Sequence, residues 1–327
     1  MVKDEALRLG VPSFKLLGSS WAVRELVRRR LDRPGDAAVA LDEMRTYVRS
    51  ERATLCTASD GNYGRSIAAL AEILGCESLI FLPADTVAQR IADVRAHGAR
   101  VDVVEGGYDE TVARARSEAA RLGYWYCPDT ALFDGDEREI EFARDVAAGY
   151  STLFVELVEQ LGRAPDVLFV QAGVGGLAAG GVAALDALGA KTRVVAVEPR
   201  GSNALQLSLE AGVPRDVPDR FTMMAGLRAQ SVSAAAWPVL ATRVAAAMTI
   251  DDDDAAAAMR LLGGQGIVAG ESGAAGVAGS VVALRDADVR ERLGVDASSV
   301  IAAINTEGAT DAENYARIMR AGSRPRS

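Results

Sequence analysis

The sequence predicts an α/β protein built on mostly parallel sheets, and three observations lead to that prediction. Short apolar segments alternate with longer amphipathic ones, the pattern of strands joined by crossover helices. The apolar segments have no polar face, as expected of strands covered by helices on both sides. The chain has 327 residues, 49% hydrophobic and 25% charged, so it has the composition of a globular protein and the length for two domains.

The alternation predicts six strands and four long helices. The strands are expected at 54–57, 78–82, 101–104, 167–171, 194–197 and 300–304. The helices are expected at 63–75, 84–98, 109–122 and 137–161. The last helix separates two strand–helix series, which suggests two α/β domains. Active sites in such folds lie at the carboxyl ends of strands, often in the cleft between domains, so the loops that follow strands are the candidate positions for catalytic residues.

Composition excludes several classes of function. The net charge is −9 and no long basic block is present, which makes a nucleic-acid partner unexpected. No apolar run approaches the length of a membrane span, and residues 1–5 lack the apolar core of a signal peptide. The single histidine, His97, excludes metal sites built on histidine pairs and is interpreted as a solvated or helix-capping residue. Cys56, Cys76 and Cys127 form no close pair, which favours buried thiols in a cytoplasmic protein.

Lysine is rare, so chemistry that needs a primary amine has few candidates. Only three of the 36 basic residues are lysines. Lys15 lies among apolar residues just before a predicted helix, where burial and the helix N-terminus favour the free amine that forms a Schiff base. A surface lysine is the alternative. That alternative is stronger for Lys3, near the terminus, and for Lys191, in a polar loop.

A glycine-rich loop at 173–180 follows the predicted strand 167–171 and opens an apolar helix. Glycines let the backbone approach an anion, and the helix N-terminus offers unpaired N–H groups, so the loop is a candidate phosphate site. A tight turn without a ligand is the alternative. The loop also suits a dinucleotide fold, because Glu198 ends the next strand near the expected place of a ribose-binding acid. A nicotinamide oxidoreductase therefore competes at this point.

Three further polar segments are candidates. Residues 57–64 combine Ser59, Asp60 and Asn62 in one turn, which suits a carboxylate-binding site with Asp60 as acid or base, or else a helix N-cap. Residues 305–311 follow the last strand and offer side chains for the edge of a ring, or form an ordinary polar loop. The acidic run 251–254 is interpreted as the start of a helix in preference to a cation site.

Taken in order, these loops resemble the fold type II, tryptophan synthase β-like family of pyridoxal-phosphate enzymes. Ser13-Phe14-Lys15-x-Leu17-Gly18 resembles the family's cofactor-lysine motif. The turn at 57–62 resembles its Thr-Asp-Gly-Asn turn, and Gly173-Val174-Gly175-Gly176 resembles its phosphate loop. Segments 222–227, 270–274 and 305–311 are similar to the diaminopropionate ammonia-lyase branch in particular. The resemblance spans nearly the whole chain.

The resemblance implies a fold of two domains, each a mostly parallel sheet flanked by helices, with the active site in the interdomain cleft. Residues 1–48 and 137–327 would form a large domain that binds the cofactor phosphate, and residues 49–136 an inserted small domain. A homodimer is expected on the same ground.

The resemblance also implies a role for each candidate residue. Lys15 would hold pyridoxal phosphate as a Schiff base, and Lys15 or Asp60 would remove the Cα proton of the substrate. Ser59, Asp60 and Asp129 would bind the substrate, with Asp129 holding a cationic β-ammonium group. The remaining residues would contact the cofactor. Its phosphate would be bound by Gly173, Val174, Gly175, Gly176 and Leu177. Its phenolic oxygen would be contacted by Asn62, its ring by Gly226 and Glu271, and its pyridine nitrogen by Asn305 or Thr306.

The implied reaction is the α,β-elimination of ammonia from 2,3-diaminopropionate, or from a similar small β-substituted amino acid, to give pyruvate and ammonia. A serine or threonine dehydratase and a β-replacement enzyme are alternatives within the same fold. A nicotinamide oxidoreductase and a non-catalytic, truncated relative are alternatives of other classes. The nicotinamide alternative offers no role for Lys15.

Three departures from the family pattern accompany the resemblance. Tyr63 stands where histidine is usual, and Asn305 stands where serine is usual. Family members also have an additional N-terminal segment, and residues 1–5 resemble the end of its strand.

A missing strand exposes a sheet edge, so we expect an N-terminally extended chain to be more soluble than this one. Comparing the solubility and cofactor loading of the two chains tests this expectation, and equal values for both would contradict it.

Overall fold

A computed structural model describes residues 1–59 and 61–321. Every strand in these residues belongs to one of two sheets. The strands are β1 Val2–Asp4, β2 Thr54–Ala58, β3 Glu77–Pro83, β4 Arg100–Val104, β5 Trp125–Tyr126, β6 Val167–Gln171, β7 Arg193–Pro199, β8 Ala246–Ile250 and β9 Ile301–Asn305. The α-helices are α1 Lys15–Arg30, α2 Leu41–Ser50, α3 Asn62–Leu74, α4 Ala88–Ala96, α5 Tyr108–Leu122, α6 Glu137–Leu161, α7 Gly176–Ala187, α8 Ala204–Ala211, α9 Trp237–Arg243, α10 Asp252–Gly263, α11 Ala275–Arg285, α12 Ala287–Arg292 and α13 Ala312–Ala321.

The predicted α/β alternation is confirmed, with small changes at the ends of elements. All six predicted strands and all four predicted helices are present, and α6 has the predicted bounds. The sequence analysis missed β5 and β8. Only two residues of β5 pair with its neighbour, and β8 lies at a sheet edge with four of its five residues at least partly exposed. β5 is therefore too short to show the apolar run that marks a buried strand. β8 begins with two alanines, which have low strand propensity.

The described residues form two compact units. Unit 1 comprises residues 1–14 and 150–321, and unit 2 comprises residues 15–149. Unit 1 contains the five-stranded sheet, in the order β1-β9-β6-β7-β8, and every neighbouring pair is parallel. The carboxyl ends of β6 and β9 therefore lie side by side.

The core of unit 1 packs against this sheet. Phe169 and Val197 are completely buried in one cluster that also contains residues of α10 and α11. Helix α11 lies close to the sheet because Gly279 has no side chain: a Cβ there would be 2.5 Å from Cγ2 of Val197. This packing holds α11 and the turn before it at the carboxyl edge of β6.

Unit 2 contains the four-stranded sheet, in the order β4-β3-β2-β5, again with parallel neighbours. Its core includes the buried Cys56, Phe81 and Ala115. Strand β2 is completely buried, and its carboxyl end leads directly into the turn before α3. No helix within the described residues is long and apolar enough to span a membrane.

Lys3 is a correction to the sequence analysis, which expected a surface lysine. Its Nζ lies 2.7 Å from Oε2 of Glu156 and 3.3 Å from Oε1 of Glu5, and Lys3 is only 7% exposed. Arg8 donates to the same two carboxylates, for example at 2.6 Å to Oε1 of Glu5. Strand β1 brings Lys3 onto the sheet, so the lysine is buried among opposite charges, which compensate for its lost hydration. Lys191 is exposed, as expected.

The Glu156 carboxylate is expected to stabilise unit 1. The hydrogen bond from Arg8 is the main reason that the pKa of Glu156 falls to about 2. Since the folded pKa lies below the usual value near 4.5, the stabilisation is present above that value and is lost as the pH falls toward 2. We expect Glu156→Gln to lower the free energy of unfolding at pH 7 by about 2 kcal/mol, allowing for the partial exposure of the carboxylate.

Urea unfolding at several pH values measures this loss. The matched control is Glu159→Gln, because Glu159 is an exposed residue of the same helix. The difference between wild type and Glu156→Gln should shrink below pH 4. Equal effects of the two substitutions at pH 7 would contradict the prediction.

Candidate active site

The glycine loop after β6 is shaped by close backbone packing. A Cβ at Gly173 would lie 3.2 Å from the carbonyl oxygen of Gly226, and one at Gly175 would lie 2.6 Å from Cδ1 of Leu240. Gly175 also has a φ of +94°, which favours glycine. The loop is fixed further by the N–H of Ser233, which donates to the carbonyl of Val174 at 2.9 Å. The positive φ thus favours glycine at Gly175, and the close approach to Gly226 favours it at Gly173.

The same loop presents a row of unused donors at the start of α7. None of the backbone N–H groups from residue 173 to residue 178 donates to another group within the described part of the chain. The N-cap residue, Gly175, has no side chain to satisfy them. Unpaired N–H groups at a helix N-terminus attract anions, and the macrodipole adds to the attraction. The arrangement suits a phosphate group, and the phosphate contact of this loop stays a prediction of the sequence analysis.

The segment 222–227 is held beside this loop by α10. Asp252, the first residue of α10, accepts hydrogen bonds from Oγ1 of Thr222 at 2.6 Å and from the N–H of Met223 at 3.0 Å. The N–H of Gly226 donates to Oγ of Ser272 at 3.1 Å. The acidic run 251–254 thus starts a helix, as predicted, and it also anchors a loop of the site.

The segments 270–274 and 305–307 are joined by buried hydrogen bonds. Oε1 of Glu307 accepts from the N–H of Ser272 at 3.0 Å, and the carbonyl of Glu307 accepts from the N–H of Gly270 at 2.9 Å. Glu271 is also buried, and its Oε1 accepts from Nδ2 of Asn314 in α13 at 2.5 Å. Four motifs that are distant in sequence therefore meet at the carboxyl edge of β6 and β9, where an α/β sheet binds its ligands.

The two candidates for the pyridine contact, Asn305 and Thr306, are both buried but have different surroundings. Asn305 donates from Nδ2 to Oδ1 of Asp4 at 2.8 Å and to the carbonyl of Val268 at 3.0 Å. Thr306 accepts at Oγ1 from the side chain of Gln171 at 3.2 Å. Asn305 thus ties β1 to β9, whereas Thr306 contacts the end of β6.

Unit 2 holds the candidate amine. Lys15 is the first residue of α1, and its Nζ lies 2.9 Å from Oδ2 of Asp129. The two side chains are 17% and 12% exposed. The ammonium group also lies 5.6 Å from the centre of the Tyr63 ring. The structure therefore brings together Lys15 and Asp129, two residues that the sequence separates by more than a hundred positions.

The turn after β2 is capped by a side chain from the same loop. Oγ of Ser59 accepts from the N–H of Gly61 at 2.9 Å and from that of Gly64 at 2.7 Å. The sequence analysis held open a helix cap by Asp or Asn in this turn, whereas the accepting side chain in the structure is that of Ser59. Asn62 follows as the first residue of α3. Asp60 lies outside the described residues.

Other candidates take structural roles. Both carboxylate oxygens of Glu198 accept backbone hydrogen bonds, from Leu205 at 2.9 Å and from Gln206 at 2.8 Å, and the residue is fully buried. Burial raises the pKa of Glu198 to about 7. It therefore caps α8, and the expectation of a ribose-binding acid is wrong. His97 caps α4 and lies 2.7 Å from Glu72.

The three cysteines are free, and Cys56 and Cys127 are buried. Burial raises the pKa of the Cys56 thiol to about 12. No group of three potential metal ligands occurs within residues 1–59 and 61–321.

Sequence reasoning missed Gln171, Ser272 and Glu307 as parts of the site. All three are buried polar residues whose side chains bond to loops distant in sequence. Gln171 carried a usable signal, because it is the only polar residue of β6 and stands directly before the glycine loop.

A family model described as "Pyridoxal-phosphate dependent enzyme" matches residues 1–307. The chain therefore belongs to the family of pyridoxal-phosphate dependent enzymes, and the resemblance noted in its sequence is confirmed. Among curated relatives, the diaminopropionate ammonia-lyase of Salmonella typhimurium is 32% identical, over 97% of this chain and 83% of its own. The biosynthetic L-threonine dehydratase of Mycobacterium bovis is 30% identical, over 80% of this chain and 57% of its own.

Solved structures of diaminopropionate ammonia-lyase from Escherichia coli are similar to this chain over most of both lengths. The complex with D-serine has a TM-score of 0.88 and 27% identity, and the match covers 98% of this chain and 83% of the other. The complex with an aminoacrylate-PLP azomethine reaction intermediate has a TM-score of 0.84 and 26% identity, covering 98% and 82%. The fold type II architecture expected from the sequence is thereby confirmed.

The residues present fit pyridoxal phosphate. The unused N–H groups at 173–178 suit its phosphate, and a primary amine is available at Lys15. Both features follow from this chain's own geometry and agree with the family match.

Gly175 is the position at which the phosphate loop can be tested. Gly175→Ala would force a side chain into the left-handed region and against Leu240, and we expect it to weaken the binding of pyridoxal phosphate at least tenfold, equivalent to about 1.4 kcal/mol. Titration of the cofactor-free protein with pyridoxal phosphate measures this.

Gly189→Ala is the matched control, because Gly189 has a φ of +67° with open space around it. It shares the backbone strain but lies outside the loop, so it should leave the affinity unchanged. An unchanged affinity in Gly175→Ala would contradict the assignment.

Proposed function

We propose that this pyridoxal-phosphate dependent enzyme catalyses the α,β-elimination of ammonia from 2,3-diaminopropionate. With water, the products are pyruvate and two molecules of ammonia. The similarity to diaminopropionate ammonia-lyases over nearly the whole chain supports this substrate. A small amino acid is the substrate class in any case, since the threonine dehydratase relative also acts on one.

The observation that favours diaminopropionate is the contact between Lys15 and Asp129. The carboxylate of Asp129 lies 2.9 Å from a primary ammonium group, in a place where both side chains are largely buried. The β-substituent of diaminopropionate is also a primary ammonium group, whereas serine and threonine carry a neutral hydroxyl. A carboxylate in this setting binds an ammonium group more strongly than a neutral hydroxyl, because the hydrogen bond to the cation is charge-assisted. Asp129 is therefore the proposed site of the leaving group.

The cofactor contacts are proposed as the resemblance implies. Residues 173–177 hold the phosphate through their N–H groups, and Lys15 holds the aldehyde carbon. Asn62 contacts the phenolic oxygen, and Gly226 and Glu271 lie beside the ring. Asn305 or Thr306 faces the pyridine nitrogen. When bound, pyridoxal phosphate supplies the electron sink that makes the Cα proton removable.

Two residues are proposed to move that proton. Lys15 would act through its amine, and Asp60, which follows Ser59 in the sequence, would act as a second base. Bases in two positions would allow both enantiomers to react. The E. coli relative was solved with D-serine, which agrees with tolerance of the D configuration. Ser59, whose Oγ accepts from the N–H groups of Gly61 and Gly64, is proposed to help bind the substrate carboxylate.

The alternatives in the same fold remain testable. A serine or threonine dehydratase is favoured by the M. bovis relative, and a β-replacement enzyme would need a second nucleophile at the same site.

We also propose that residues 49–136 form an inserted small domain, because they contain the four-stranded sheet with α3, α4 and α5. A cytoplasmic location, supported by the free cysteines, and a homodimer are proposed likewise.

The first test is to identify the lysine that bears the cofactor. We expect a visible absorption band in the enzyme loaded with pyridoxal phosphate. Borohydride should abolish the band and leave a pyridoxyl group on the peptide that contains Lys15. Because the chain has only three lysines, peptide mapping is unambiguous. Lys191→Arg, at an exposed position, should label normally, whereas Lys15→Ala should not.

Labelling confined to Lys191, or no labelling at all, would overturn the assignment. Normal labelling without pyruvate formation would favour a non-catalytic relative.

The second test concerns the substrate. Asp129→Asn should lower kcat/KM for diaminopropionate about 100-fold, because a hydrogen bond to a charged group is lost. The same substitution should change kcat/KM for serine less than about threefold. Pyruvate release measures both rates. Asp134→Asn, at an exposed aspartate nearby in sequence, is the control. No change with either substrate would refute the role of Asp129.

A further inference from the structure

Gly149 lies in α6 at the place where that helix touches the first two turns of α1. A Cβ on Gly149 would lie 2.5 Å from the carbonyl oxygen of Leu17 and 2.8 Å from Cα of Gly18. It would also lie 2.7 Å from Cβ of Trp21. Two of these atoms belong to the backbone and the third is bonded to it, so no side-chain rotation can make room. The backbones of α1 and α6 are therefore in direct contact, and an alanine here would push them apart.

Packing, and not backbone conformation, is the reason for a glycine at this position. Gly149 is helical and its φ is not positive, so alanine would fit its backbone conformation. Glycine inside a helix is less stable than alanine by about 0.5–1 kcal/mol. Gly149 therefore has a cost within α6 that the close contact with α1 offsets.

The two helices run antiparallel, and ion pairs join them at the opposite end of α1. Arg29 pairs with Asp145 at 2.6 Å and with Glu141 at 3.4 Å. Residues 141, 145 and 149 are spaced four apart and so share one face of α6. The rise of an α-helix puts Arg29 roughly 18 Å along α1 from Leu17. The ion pairs therefore hold the far end of α1, and the contact at Gly149 sets the near end.

The near end of α1 carries the candidate amine. Lys15 is the first residue of the helix, and its Nζ lies 2.9 Å from Oδ2 of Asp129. Leu17, whose carbonyl faces Gly149, follows two residues later. Non-bonded carbon atoms pack best at about 3.5–4.0 Å, so a methyl group on residue 149 would require the first turn of α1 to move by about 1 Å. A displacement of that size is enough to break the hydrogen bond between Lys15 and Asp129.

The residues beside this contact are paired as well. Phe14 directly precedes Lys15, and Tyr150 directly follows Gly149. The ring centres of Phe14 and Tyr150 lie 4.6 Å apart with their planes inclined by 59°, and both residues are buried. The chain on either side of Lys15 is thus tied to the same short stretch, residues 149–150. This arrangement leaves the backbone of Lys15 little freedom.

We propose that Gly149 is a positioning residue that places the Lys15 amine. Because Gly149 has no side chain, the first turn of α1 lies directly on α6, and Nζ of Lys15 reaches Asp129. The inference rests on the role proposed for Lys15 in holding the cofactor, and it is independent of the choice of substrate.

The first measurement observes the Lys15 side chain in the cofactor-free enzyme. Lysine labelled with carbon-13 at Cε gives three NMR signals, because the chain has three lysines, and the signal absent from Lys15→Ala belongs to Lys15. Asp129→Asn shows how this signal moves when the contact is lost. Gly149→Ala should move it in the same direction, whereas the signals of Lys3 and Lys191 should stay in place.

The second measurement separates the placement of the amine from cofactor binding in general. Gly149→Ala should form the Schiff base with added pyridoxal phosphate at least about tenfold more slowly, because the attacking nitrogen is displaced. Pyridoxine phosphate carries an alcohol in place of the aldehyde and cannot react with an amine. Its affinity should change less than about twofold, because the three atoms nearest to the added methyl group all belong to α1.

Two control variants distinguish a local displacement from general loosening. Gly279→Ala introduces an overlap of the same size, 2.5 Å to Cγ2 of Val197, but in α11 of unit 1. Arg29→Gln removes the ion pairs at the far end of α1. Both should lower the melting temperature of the cofactor-free enzyme and leave the Lys15 signal unchanged.

Three outcomes would overturn the proposal. An unchanged Lys15 signal in folded Gly149→Ala would show that the amine does not depend on this contact. A signal that moves equally in Gly279→Ala or Arg29→Gln would indicate general loosening, whether or not Gly149→Ala folds. Failure of Gly149→Ala to fold would make Gly149 a core residue instead, since a displacement at one end of a helix leaves the unit folded.

Failure of the cofactor assignment gives a different result. If Lys15 does not bear the cofactor, the wild-type enzyme itself forms no Schiff base at Lys15. The carbon-13 signal would still report the contact between Lys15 and Asp129, because it is recorded without cofactor and without substrate.

Discussion

The site in unit 1 depends on backbone segments that lie too close together for any side chain between them. A Cβ on Gly270 would be 2.4 Å from the carbonyl oxygen of Gly308, and one on Gly273 would be 2.5 Å from that of Glu307. Gly173 approaches Gly226 less closely, with 3.2 Å from such a Cβ to the carbonyl oxygen. The absence of side chains at these glycines allows four loops to converge on one short stretch of sheet edge.

Close packing of this kind leaves backbone polar groups out of reach of water, so buried side chains have to satisfy them. Glu307 and Asp252 accept from backbone N–H groups, and Gln171 donates to backbone carbonyls. Each hydrogen bond contributes about 1 kcal/mol net, but the loss of one partner would leave the other buried and unsatisfied at a larger cost. The loops are therefore held as one cooperative unit, and the phosphate loop keeps its donors for a ligand.

Unit 2 holds the proposed catalytic residues Lys15 and Asp129, which are stabilised in a different way. Lys15 opens a helix and faces Asp129 across 2.9 Å, so the ammonium charge is compensated although both groups are largely buried. The contact explains how a lysine can be kept in a shielded place without an unpaired charge. The ammonium group of Lys15, which the Asp129 carboxylate contacts, is a primary ammonium group like the β-substituent of the proposed substrate.

The fold class and most strands and helices follow from local patterns, such as the apolar run Val167–Gln171 and the long periodic helix Glu137–Leu161. The cofactor family came from the resemblance of several motifs taken in order, because the glycine loop alone left a nicotinamide enzyme open. Which distant residues meet was visible only in the folded chain. The Lys15–Asp129 contact, the burial of Lys3 and the hydrogen bonds of Gln171 join residues far apart in the chain, and pairing of that kind leaves no local periodicity. Glu198 shows the same limit, because its place at a strand end suggested a ligand whereas its surroundings make it a helix cap.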